Sequence, residues 1–185
     1  RLENEADISQ NKTYAQSNLM KLYYNKKDYP NSGIYAEKVL MNPKTDDNVK
    51  SDAQIIIARA AIETGDEAKA RAAYAKVLTI AKGELAAEAL YYDAYFKNKD
   101  GKFETSNAAV QKLAKNYSSY KYFGAKGLIL MAKNFYGLKD SYQATYILEN
   151  VIQNFMDYPD VVSEAQTELN VIKAEEAKTN SSITK

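Results

Sequence analysis

The chain has 185 residues, 45% of them apolar and 26% charged, enough to bury a core and too apolar for a disordered segment. It contains no Cys and no His, which excludes disulfides, thiolate or imidazole metal sites, Ser-His-Asp triads and histidine bases. Net charge is +1, so nothing global points to nucleic acid, and no apolar run approaches the roughly 18–20 residues of a bilayer span.

In chain order, Arg1 opens into a helical pattern without a polar cap, as would a chain whose upstream repeat had been removed. Apolar spacing predicts helices nearly everywhere, interrupted by Pro30, Pro43 and Pro159. The first turn falls at NKKDY (25–29). In the next helical run, Ile55, Ile56, Ala58, Ala61 and Ile62 line one side. A second turn follows at Thr64-Gly65-Asp66: Gly65 suits the left-handed end of one helix and Asp66 the N-cap of the next. Comparable turns lie at NKDGKF (98–103) and GLKD (137–140).

After each turn comes a small residue: Ser32, Ala70, Ser106 and Ala144, separated by 38, 36 and 38 residues. Four residues on stand Ala36, Tyr74, Val110 and Leu148; seven on stand Val39, Val77, Leu113 and Val151. Twelve residues before each anchor stand Met20, Ala58, Ala94 and Ala132. Small residues let two helices cross closely while larger neighbours fill the adjoining layer. A fixed period of this length in paired helices is the signature of a repeat architecture.

This pattern resembles the tetratricopeptide repeat. Hairpin two carries Ala58, Gly65, Ala70 and Tyr74, and hairpin four carries Ala132, Phe135, Ala144 and Leu148. Hairpin one keeps Tyr23 and Tyr29, and hairpin three keeps Gly101 and Phe103. Departures are Met20 for a small residue, Ala36 for an aromatic, and Asp93 and Lys97 where the family prefers apolar groups. The segment NVIQNFMDYPDVVSEAQTEL (150–169) resembles a joint found in tetratricopeptide proteins of bacterial cell envelopes, with Pro159 opening a further helix. The resemblance implies an all-α fold, a right-handed superhelix of antiparallel helical hairpins. A single domain over residues 1–178 would hold four hairpins and a capping helix (159–178), with a polar tail at 179–185. Val161, Val162, Ala165, Leu169 and Ile172 would lay the cap on hairpin four.

Chemistry is scarce. Ser-x-x-Lys occurs at Ser9/Lys12, Ser118/Lys121 and Ser182/Lys185, with no companion motif. Asp46-Asp47-Asn48 lacks the spacing of a calcium loop and reads as a helix start. The expectation is a protein that is not an enzyme and takes no cofactor or metal.

The tetratricopeptide register implies a concave groove lined by the inner face of each first helix. It places Tyr14, Ser17, Lys21 and Tyr24 there from hairpin one, and Asp52, Ile55, Arg59 and Ile62 from hairpin two. Hairpin three contributes Glu88, Tyr91, Tyr95 and Asn98, and hairpin four Lys126, Ile129, Lys133 and Tyr136. The residues expected to carry partner binding are Tyr14, Lys21, Tyr24, Arg59, Tyr91, Tyr95, Lys126, Lys133 and Tyr136. Six lysines and no acidic residue lie between Glu104 and Asp140, which suggests an acidic partner. The expected function is a non-catalytic scaffold binding a protein or peptide in a bacterial envelope assembly, in the periplasm or, failing that, the cytoplasm. An RNA-binding helical repeat and a purely structural segment of a larger repeat protein are the alternatives, the first disfavoured by near-neutral charge.

Overall fold

The computed structural model describes residues 9–183, with side chains described over 11–178. The expectations about Arg1, and the last two residues of the expected tail, lie outside them. Among the described residues there are nine helices and no strand. They are α1 (Ser9–Asn25), α2 (Tyr29–Met41), α3 (Asp47–Glu63), α4 (Glu67–Ile80), α5 (Gly83–Lys99), α6 (Phe103–Asn116), α7 (Lys121–Gly137), α8 (Ser141–Asn154) and α9 (Pro159–Ile183). No helix of the described residues is long and apolar enough to cross a membrane. The chain divides into two compact units, one closing at Ala89 and the other opening at Leu90, so the boundary falls within α5.

Four turns are built alike. In each, the residue before the second helix donates its N–H back to the carbonyl five residues earlier: Asp28 to Tyr23, Asp66 to Ala61, Lys102 to Lys97 and Asp140 to Phe135. The residue preceding it takes the left-handed conformation and donates three residues back, a Schellman closure. Gly65 and Gly101 fill that position at φ 74° and 71°, as expected, but Lys27 and Lys139 fill it at 59° and 68°. Asp28, Asp66 and Asp140 then cap the next helix, accepting from the N–H groups of Asn31, Lys69 and Gln143. Lys102 makes no such bond.

In the first unit, α1 packs on α2, α3 on α4, and α3 also lies against both α1 and α2. The anchors Ser32 and Ala70, with Met20 and Ala58 twelve residues before them, are fully buried. Ala36, Tyr74, Val39 and Val77 are buried beside them. Ser32 donates its hydroxyl proton across the crossing to the Met20 carbonyl at 3.1 Å. The site therefore needs a side chain no larger than Ser, and Met20 fills the layer alongside it. α3 is buried on both sides, from Ala53 to Ala61 with Arg59 as the half-exposed exception.

In the second unit, α7 packs on α6 and α8, and α9 on α7 and α8. Ala94, Ser106, Ala132 and Ala144 are fully buried, and Ser106 repeats the Ser32 bond by donating to the Ala94 carbonyl at 2.8 Å. Asn134, also fully buried, donates to Ser106 at 2.8 Å and to Asn107 at 2.7 Å, and accepts from Asn98 at 2.7 Å. Among the described residues no buried side-chain polar atom lacks a partner. The two charged residues that interrupt the family's apolar pattern, Asp93 and Lys97, pair with each other at 2.7 Å one helical turn apart.

Pro159 opens α9, and Val161, Ala165, Leu169 and Ile172 are buried against Ile129, Leu148 and Val151. Val162, expected on the same face, is only half-buried. The helix runs to Ile183, past the expected end at 178. Its opposite face carries the exposed polar residues Ser163, Gln166, Thr167 and Asn170 together with the exposed Val171.

Candidate functional site

Each unit is considered by itself. In the first, α1, α3 and the opening of α5 carry the expected inner residues, but Ile55, expected to line the groove, is buried in the core instead. Tyr14 is 72% exposed and borders a shallow cleft with Ser17, Asn42, Lys44 and Asp46. Lys21 reaches across to Asp52 on α3 at 2.6 Å. Arg59 lays its guanidinium fork on Glu88, Nε to Oε1 at 2.9 Å and Nη2 to Oε2 at 2.5 Å. Glu88 is only 3% exposed, and the Tyr74 hydroxyl also donates to its Oε1 at 2.9 Å. Tyr24 stands half-buried beside this pair, and burial above all raises its phenol pKa, Arg59 opposing and Glu63 adding to the effect. Glu88, expected as a groove residue, is therefore an internal support for Arg59.

In the second unit the rings form a belt. Tyr95 and Tyr91 of α5 have centroids 6.5 Å apart, Tyr91 and Phe123 of α7 6.2 Å, Phe123 and Tyr122 5.3 Å, and Tyr122 and Tyr158 5.7 Å. All five are half-buried. Tyr92 and Phe96 buttress them from α5. The Lys126 ammonium lies 5.9 Å from the Tyr91 ring centroid.

The lysines expected to meet an acidic partner are already engaged. Lys126 pairs with Glu164 of α9, and Lys133 with Glu168 at 2.7 Å. The Tyr136 hydroxyl donates to Glu175, and the Tyr122 hydroxyl to Asp160 at 2.9 Å. Burial first, then the Asp160 bond and the Asp160 and Glu164 charges, push the Tyr122 phenol up to about 12. Tyr91 is raised further, by burial and then by Glu164, and Tyr136 is raised chiefly by its bond to Glu175.

The structure thus brings Tyr91, Tyr95 and Lys126 together, sets Lys133 and Tyr136 farther along α7, and leaves Arg59 near enough to Tyr24 to oppose the rise in its phenol pKa. Tyr14 borders its cleft with Ser17. Sequence reasoning missed Tyr122, Phe123, Tyr158 and the carboxylates of α9. The signal was present: Asp160 and Glu164 lie 38 residues after Tyr122 and Lys126, one repeat on. No protein-family model and no curated protein matches this chain.

Proposed function

We propose that the chain is a non-catalytic, tetratricopeptide-like interaction module that takes a partner protein or peptide along the inner faces of its first helices. The observation supporting this is the set of side-chain ties between successive first helices: Lys21 to Asp52 and Arg59 to Glu88 in one unit, Lys126 to Glu164 and Lys133 to Glu168 in the other. Residues that share a face in the repeat register also meet in space. Charged side chains held this way lose little further freedom on binding, while half-exposed tyrosines offer large contact area at low entropic cost. The joint around Pro159 supports a bacterial envelope setting.

The test is site-specific photo-crosslinking in the envelope fraction of the source cells. A photoreactive phenylalanine in place of Tyr95 should trap a discrete partner, and the same group in place of the exposed Lys112 on α6 should not. Trapping from position 112 alone would move the binding surface off the inner face.

A further inference from the structure

We propose that the aromatic belt of the second unit binds a basic, extended peptide segment, its arginine or lysine side chains laid against the Tyr95, Tyr91, Phe123 and Tyr122 rings and drawn toward Asp160. This inference rests on the inner-face reading above and reverses the charge of partner that the lysine-rich run 104–140 suggests.

The reversal follows from counting charges after folding rather than along the chain. On the inner side of α7 and α9, Lys126 and Lys133 meet Glu164 and Glu168, and the Tyr122 hydroxyl meets Asp160. Glu164 and Glu168 cancel the lysines pairwise. Asp160 accepts a neutral phenol and is paired with no cation among the described residues. Burial first raises the phenol pKa of Tyr91 and Tyr122, and the Glu175 hydrogen bond first raises that of Tyr136; nearby carboxylates add to all three. An acidic segment would have to displace Glu164 and Glu168 from short ion pairs and then lie against Asp160. A basic one leaves both ion pairs in place and shares Tyr91 with Lys126 and Asp160 with the Tyr122 hydroxyl.

The rings supply the second half of the match. The negative face of an aromatic ring attracts a cation, and guanidinium planes stack on it. Lys126 already stands near the face of Tyr91, a cation within the belt in the folded chain itself. The belt crosses from α5 over α7 to the α8–α9 link and ends beside Asp160. Its ring-to-ring steps of 5.3 to 6.5 Å are close to the advance of two extended residues, roughly 6.6–7 Å, so alternate side chains of a strand-like or polyproline-like peptide meet successive rings.

The experiment is fluorescence anisotropy on the whole chain with three labelled peptides of equal length. All share a Pro/Ser background and carry arginine, glutamine or glutamate at every second position. The arginine peptide should bind at least about tenfold more tightly than the glutamate peptide, and added salt should weaken it. Asp160→Asn should weaken it several-fold and Asp160→Lys more, while Tyr95→Ala should speed its dissociation. Lys112→Glu on α6 should change nothing. Asp160 is exposed, so its variants fold, which circular dichroism checks. Equal binding of the three peptides, preference for glutamate, no binding at all, or indifference to Asp160→Lys would each overturn the inference. If position 95 traps a partner whose contacting segment is acidic, the basic-segment inference fails and the inner-face reading stands. If position 95 traps nothing, the inner-face reading fails as well.

Discussion

Gly137, the last residue of α7, lies so close to Phe103 at the start of α6 that a Cβ there would stand 2.6 Å from two atoms of the ring. Alanine at a helical glycine normally stabilises by about 0.5–1 kcal/mol. Here the ring must swing out of place, so Gly137→Ala should lower stability by about 1–3 kcal/mol instead. Gly33, inside α2, has open space where its Cβ would go, and Gly33→Ala should raise stability by about 0.5–1 kcal/mol. Urea denaturation of the two variants checks both signs, and Phe103→Leu should rescue Gly137→Ala.

The four equivalent turns divide by residue type at their left-handed position. Lys27 and Lys139 carry a Cβ at φ 59° and 68°, whereas Gly65 and Gly101 do not. Left-handed conformation costs a β-carbon-bearing residue about 1 kcal/mol. Lys139→Gly and Lys27→Gly should therefore each raise the melting midpoint, and Gly65→Ala and Gly101→Ala lower it. Because all four turns share one hydrogen-bond pattern, the four shifts should be of similar size.

The Arg59–Glu88 pair has one buried partner, Glu88, and Arg59 is what compensates its charge. Arg59→Leu would leave a carboxylate that is 3% exposed with the Tyr74 hydroxyl as its remaining donor here, at a cost of about 3 kcal/mol. Tyr74→Phe removes one hydrogen bond and should cost about 1 kcal/mol. The double variant Arg59→Leu with Glu88→Leu should recover most of the loss, since no charge is then stranded. A midpoint unchanged in Arg59→Leu would show that water reaches Glu88.

Tyr122 ties stability to alkaline pH. Its folded pKa, about 12, lies above the ordinary phenol value of 10.0. The folded state therefore holds this proton more tightly than the unfolded state. The contribution is fully present below pH 10 and is lost as pH rises through about 12. Tyr122→Phe should flatten this decline in thermal melts across that window. Asp160→Asn should shrink it, because the Asp160 hydrogen bond and charge are part of what raises the phenol.

The small-residue anchors Ser32, Ala70, Ser106 and Ala144 were legible because helix faces are set by local spacing. A residue type recurring at one register occupies one environment, and all four are fully buried. The turns were legible for the same local reason, except that Lys27 and Lys139 stand where glycine is the usual signal, at positive φ within the same Schellman hydrogen bonds. Proline at 159 opened its helix as expected.

The charge of the inner face was another matter. Along the chain, Lys126 and Lys133 belong to a run without acidic residues; in space, they face Glu164 and Glu168 from 38 and 35 residues away. Sequence alone determined the helices, their turns and the buried anchors, because those depend on residues within one or two turns of each other, whereas Ile55, Glu88 and Ile129, expected on the groove, are buried. Tertiary structure alone decided which charges meet, which tyrosines join into a belt and which carboxylate is left without a cation. Coulomb and ring contacts act across a few ångströms of space and take no account of distance along the chain.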